Sequence, residues 1–82
     1  MPALLPRNAM VIEVTAPIPG KVLRVNSRPG EKVSEDTSVV TLESMKMEID
    51  VYPPSSGVVK EILAKEGEFA EAGKVLAILE GE

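Results

Sequence analysis

The sequence predicts an all-β fold, a flattened sandwich or barrel with pseudo-twofold symmetry built from two similar halves. Three observations carry that expectation. The chain repeats itself at an offset of 37 residues, its apolar positions alternate with period two, and no stretch shows a convincing helical stripe. Laying residues 10–45 on residues 47–82 without a gap gives ten identities: Met10/Met47, Ile12/Ile49, Val14/Val51, Pro17/Pro54, Gly20/Gly57, Val22/Val59, Gly30/Gly67, Glu31/Glu68, Leu42/Leu79 and Glu43/Glu80. Glu13/Asp50, Val25/Ile62, Arg28/Lys65 and Val39/Leu76 are conservative pairs on top of these. Only Lys46 lies between the two copies.

Each copy reads as a series of strands. Met10–Thr15 and Met47–Tyr52 alternate apolar and polar residues, and Pro17 and Pro54 end them because proline has no N–H for a ladder. Gly20–Val25 and Gly57–Leu63 start the next strands. Pro29-Gly30-Glu31 and Glu66-Gly67-Glu68 are turn signals, and Gly20, Gly30, Gly57, Gly67 and Gly73 all read as turn makers. Ser38–Glu43 and Lys74–Glu80 close the two copies. Two like-sized units of this kind, neither able to close a core alone, should pack face to face. Lys46 then falls at one end of the molecule and the two chain ends meet near the other. Residues 1–9, with Pro2 and Pro6, are expected to be a flexible leader or linker and not a signal peptide.

Composition narrows what such a domain can do. In 82 residues there is no cysteine, histidine or tryptophan, and Tyr52 and Phe69 are the only aromatics, so the core must be aliphatic. Neither a disulfide framework nor a Ser-His or Cys-His catalytic pair can be built, and only carboxylate-type metal sites are open. The formal net charge of −4, without a basic cluster or stacking rings, argues against nucleic acid as a partner. No apolar run approaches the ~20 residues of a membrane-spanning helix, so no membrane insertion is expected. Absence of cysteine suits a reducing compartment, and a cytoplasmic location is expected.

The link Glu43-Ser44-Met45-Lys46-Met47-Glu48 joins two strand-like runs with almost no room, so it should be a tight hairpin. Two-residue hairpins favour Asn-Gly or Asp-Gly because their central residues take positive φ. Met45-Lys46 is poor chemistry for that task and puts large apolar side chains at a solvent-facing tip. A local rule that fails in an otherwise consistent sequence marks a candidate functional site. By pattern alone a second reading stands beside it, with Met45 and Met47 tucked against the sandwich edge and Lys46 a solvated turn residue.

These same six residues resemble the attachment motif of biotinyl domains, the biotin carboxyl carrier family, whose usual form is Glu-Ala-Met-Lys-Met. The similarity runs over about residues 10–80 and includes Pro17–Gly20, Gly30–Val33, Gly57-Val58-Val59 and Gly73-Lys74-Val75-Leu76. The resemblance implies a barrel-sandwich hybrid of two four-stranded antiparallel sheets, with the carrier domain over residues 10–82 and biotin bound covalently to Lys46 as an amide. Ser44 replaces the common alanine, a small-for-small change. Asp36 stands where Gly73 lies in the second copy, which predicts slight local strain. The ungapped repeat leaves no room for the protruding thumb of some bacterial carriers, so a thumbless domain is expected.

By the same resemblance the domain is a carrier and not an enzyme. A biotin protein ligase would dock on the tip and attach biotin, which would then shuttle a carboxyl group between biotin carboxylase and carboxyltransferase subunits or domains, or run in a decarboxylase. Tethering turns such a shuttle into a matter of effective concentration. The domain itself is expected to be monomeric. Met45 and Met47 fit recognition, being flexible and polarizable. Glu43 and Glu48 would orient the lysine or repel wrong modifying enzymes, although Glu43 repeats as Glu80 and a plain strand-end role serves equally. The alternatives are a lipoyl carrier, which shares the fold but usually shows Asp-Lys-Ala at the tip, and an unmodified β-sandwich interaction module. A Schiff-base lysine enzyme would need a desolvated lysine in a pocket, which a hairpin tip does not offer.

Overall fold

The computed structural model describes residues 10–81, so the leader expected over residues 1–9 lies outside the described residues. Eight strands follow in order: β1 (Val11–Thr15), β2 (Gly20–Val25), β3 (Lys32–Val33), β4 (Val40–Ser44), β5 (Met47–Val51), β6 (Gly57–Ile62), β7 (Phe69–Ala70) and β8 (Val75–Gly81). They form two four-stranded antiparallel sheets, and the described residues contain no helix. One, ordered β1-β8-β6-β3, holds the ends of the described chain and is called the terminal sheet here. The other, β5-β4-β2-β7, is called the hairpin sheet.

Period-two alternation decides which side chains enter the core. In β1, Ile12 and Val14 point inward while Val11, Glu13 and Thr15 face out. Facing residues of the other sheet complete an aliphatic interior around Leu42, Leu76, Leu79, Val14, Val22 and Val59, each essentially inaccessible to solvent. Tyr52 and Phe69 both lie on the surface, so the expected ring-free core is what the fold contains.

The repeat is visible in atomic detail. Gly30 N–H donates to the Val59 carbonyl at 2.7 Å, and 37 residues on Gly67 N–H donates to Val22 at 2.8 Å. Val59 N–H in return donates to Glu31, and Val22 N–H to Glu68, each at 2.8 Å. The register slips between Val22 and Arg24 in β2 and at the equivalent Val59 and Glu61 in β6. The loops β2–β3 and β6–β7 are equally long and no loop between equivalent elements carries an extended insertion, leaving no thumb among the described residues.

Several expectations need correction. The halves are not two separate layers packed face to face: each sheet takes its two central strands from one half and its two edge strands from the other. The reason is that β1 and β3 find their ladders on β8 and β6, so the halves interleave. β3 and β7 were not readable as strands, since two residues cannot display an alternation. Gly20 and Gly57 are not turn makers. They open strands where a Cβ would stand 2.7 Å from the carbonyl oxygens of Glu43 and Glu80, so close backbone approach requires glycine. Gly30, Gly67 and Gly73 do sit in turns, at φ of 91°, 92° and 89°.

Asp36 does not take the positive φ of its counterpart Gly73, so the anticipated strain is absent. Both turns close by the same hydrogen bond, Thr37 N–H to Ser34 and Lys74 N–H to Glu71, each at 3.0 Å. In the first, the side chains of Ser34 and Thr37 accept from the backbone N–H groups of Asp36 and Ser34 and hold a turn without a left-handed residue.

Candidate functional site

The β4–β5 hairpin has a two-residue loop, with Ser44 and Met47 as the last paired residues before it. Met45 and Lys46 take φ of 54° and 67°, the only positive values at non-glycine positions among the described residues. Positive φ at both central residues is what a type I′ hairpin turn demands. For L-residues with side chains this conformation costs roughly 1–2 kcal/mol each. It persists because the flanking ladder dictates it: Val40 through Ser44 pair without a break with Val51 through Met47.

The geometry lifts Lys46 to an exposed apex and leaves Met45 90% and Met47 64% exposed. The reading in which both methionines pack against the sandwich edge therefore fails: the turn directs Met45 into solvent, and Met47 faces outward at the hairpin base. Lys46 makes no hydrogen bond or ion pair with any described residue. The local constellation thus offers a solvent-exposed amine on a backbone held in the left-handed region.

Glu43 and Glu48 are directly opposite one another on β4 and β5, one step below the tip. Neither carboxylate reaches Lys46. Instead Arg24 Nη2 donates to Glu48 Oε1 at 3.0 Å, an exposed pair of little energetic weight. Glu43 has Lys21 as its neighbour in the same row on β2. The expectation that these acids orient the lysine is thus not met by a contact, whereas the Glu43 backbone does have the structural task that Glu80 repeats, through the close approach of Gly20.

A polar group that sequence reasoning missed lies further down the same outer face. Asn26 Nδ2 donates to Ser38 Oγ at 3.0 Å and to Thr41 Oγ1 at 2.9 Å, and Thr41 Oγ1 donates to Asp50 Oδ1 at 2.8 Å. Thr41 is 1% exposed, so this chain satisfies a hydroxyl that burial would otherwise penalise. Comparison of the halves could have found it, because Asn26, Thr41 and Asp50 align with Leu63, Ile78 and Glu13. The chain ties β4 to β5 below the hairpin and so stiffens the base of the tip.

Opposite arrangements hold at the far end. Gly81 N–H donates to the Met10 carbonyl at 2.7 Å, so the two ends of the described chain lie together at the pseudo-symmetric counterpart of the hairpin. A surface depression lined by Arg28, Pro29, Gly30 and Glu31 belongs to a turn bonded to the terminal sheet, not to the hairpin. The described residues contain no cluster of acidic side chains suited to a metal ion and no helix long and apolar enough to cross a membrane.

A β-sandwich that presents an unpaired lysine on a hairpin opposite the ends of the described chain fits a carrier domain. Comparison with known proteins identifies it. Residues 12–79 match the Biotin_lipoyl family model, described as biotin-requiring enzyme. The chain is 40% identical over 63 residues to the biotin/lipoyl attachment protein of Bacillus subtilis, covering 77% of this chain and 86% of that protein. It is 43% identical over 60 residues to the dihydrolipoyllysine-residue acetyltransferase component of the pyruvate dehydrogenase complex of Cupriavidus necator, covering 73% of this chain and 11% of that one. Among solved structures, the Kluyveromyces lactis urea carboxylase matches with a TM-score of 0.78 at 28% identity, over 94% of this chain and 7% of that one. The chain thus spans most of a small attachment protein but only a minor part of the large enzymes it resembles. It belongs to the biotin/lipoyl attachment family, whose members are non-catalytic carrier domains.

Proposed function

We propose that the chain is a biotin carboxyl carrier module and that Lys46 is its attachment point. The observation that carries this reading is the Met45-Lys46 turn, in which left-handed backbone at both residues projects an unpaired lysine between two exposed methionines. That arrangement fits covalent loading. The Lys46 amine, once deprotonated in the ligase site, attacks the carbonyl of an activated biotinyl-adenylate. A C–N amide bond forms, the acyl–phosphate C–O bond breaks, AMP leaves with its electron pair, and the amine proton passes to a base of the ligase. Attached biotin supplies a ureido nitrogen able to hold a carboxyl group. The chain's own residues supply position: β4 and β5 hold the tip, and the lysine stem supplies reach. Partners are a biotin protein ligase, then biotin carboxylase and carboxyltransferase subunits or domains. The match to a urea carboxylase supports this reading.

A second reading has its own support. The chain is 43% identical to a dihydrolipoyllysine-residue acetyltransferase component, so a lipoyl group on the same Lys46 is the alternative. The two are separated by intact mass after incubation with ATP and either biotin plus a biotin protein ligase or lipoate plus a lipoate ligase. Gain of one biotinyl group by the native chain and none by Lys46→Arg is the expected result. A gain only in the lipoate reaction would overturn the biotin reading in favour of the alternative.

A further inference from the structure

The internal repeat allows the outer faces of the two sheets to be compared position by position. On the hairpin sheet that face is polar. Asn26, Ser38 and Thr41 are joined by hydrogen bonds, and Glu48 and Lys21 lie in a row nearer the tip. At the five positions offset by 37 residues, the terminal sheet carries Leu63, Val75, Ile78, Val11 and Val58. Val11 is 65% and Leu63 38% exposed, while Val58, Val75 and Ile78 are half-buried. None of the five belongs to the buried core. The hairpin sheet keeps the same fold with polar residues at all five places, so folding does not require them to be apolar. A contiguous apolar patch of this kind marks a surface that something covers.

The sequence supplies an occupant at the edge of the patch. Residues 1–9 run through Met10 directly into β1, whose first residue is Val11. They hold Leu4 and Leu5, one charged side chain, that of Arg7, and no acid. At the tip, the chain before Met47 turns back into β4; at this end β8 already fills the place beside Met10, through the Gly81 N–H. Leu5 is separated from Met10 by a reach of about 17 Å when extended. Val58 lies in the same row as Val11, two strands and about 10 Å away. Charge is disposed to match. Glu13 and Glu80 are exposed on β1 and β8, on the side where the leader begins. The cations of this sheet, Lys32 and Lys60, lie on β3 and in the bulge of β6.

We propose that the outer face of the terminal sheet is the docking site for the chain's own residues 1–9, with Leu4 and Leu5 on Val58 and Ile78 and Arg7 against Glu13 and Glu80. Tethering favours this occupant over any other. Joined to the edge strand of the same sheet, the segment is present at an effective concentration of about millimolar, which a second copy or another protein reaches only in concentrated solution. Docking on this sheet leaves the β4–β5 hairpin uncovered, since the hairpin belongs to the other one. Nothing in it depends on which group Lys46 carries.

The test uses the full chain with labelled methyl groups on Ile, Leu and Val, and measures nuclear Overhauser contacts at low protein concentration. Contacts are expected between the methyls of Leu4 or Leu5 and those of Val58 or Ile78. Leu4→Ser combined with Leu5→Ser should remove them and move the methyl resonances of Val11, Val58 and Ile78, while those of Val22 and Leu42 stay in place. Arg7→Glu should weaken the same contacts. Val58→Lys, which installs the residue that the hairpin sheet carries, should abolish them from the other side. Val11→Glu, the same kind of exchange, replaces that variant if it melts early. Absence of any contact between the leader leucines and this sheet in the folded native chain overturns the proposal. Contacts to the hairpin sheet instead overturn it equally. Face resonances that follow protein concentration and ignore the leader substitutions overturn it in favour of a second copy.

Discussion

Met45 and Lys46 are held in a backbone region that neither favours. Their positive φ is imposed by a two-residue loop between fully paired strands, and asparagine or glycine would occupy it at lower cost. Stability has thus been given up at the tip in exchange for the side chains displayed there. Met45→Asn should stabilise the domain by about 0.5–1 kcal/mol, because asparagine tolerates the left-handed region. Thermal unfolding should register a rise of a few degrees. The same variant should slow ligase modification if Met45 belongs to the recognition surface. A variant that melts higher and is modified at the native rate would reduce Met45 to a turn residue. The turn's oddity was legible in the sequence because the spacing left only two residues for a hairpin and both were wrong for it. The orientation of Met45 was not legible, since alternation rules describe strands and say nothing about a side chain on a left-handed residue.

Six of the strands could be read from alternation and from their bounding Pro and Gly residues, and β2 was delimited without error. β3 and β7 could not, because two-residue strands owe their existence to the glycine turns before them and to ladders on distant partners. Glycine was legible as a residue type but not as a function. Gly30 and Gly67 serve by their φ, whereas Gly20 and Gly57 serve by having no side chain where another strand's carbonyl comes close. That difference separates the outcomes of substitution. Gly57→Ala drives a Cβ against the Glu80 carbonyl and should destabilise by about 1–3 kcal/mol, the usual range for overpacking. The loss should appear as a lower midpoint in urea with an unchanged slope. A midpoint equal to that of the native chain would show that β6 and β8 can separate to admit a methyl group.

At the scale of the whole molecule, the duplication was legible but its interleaving was not, because a repeat fixes equivalence and leaves pairing open. Since each sheet draws edge strands from one half and central strands from the other, neither half can complete a sheet. Peptides covering residues 10–45 and 47–82 should each lack strand structure alone, by far-ultraviolet circular dichroism, and the intact chain should unfold in one cooperative transition. Strand signal in either peptide by itself would mean that a half carries its own stable unit. The all-aliphatic interior has a spectroscopic consequence too. With no tryptophan, and with Tyr52 and Phe69 on the surface at 50% and 64% exposure, every chromophore sits outside the packed region. A weak near-ultraviolet dichroism spectrum is elsewhere taken as a mark of lost tertiary packing. For this domain it is the expected signature of the native state, and methyl resonances, not ring bands, are the probes that will follow its unfolding.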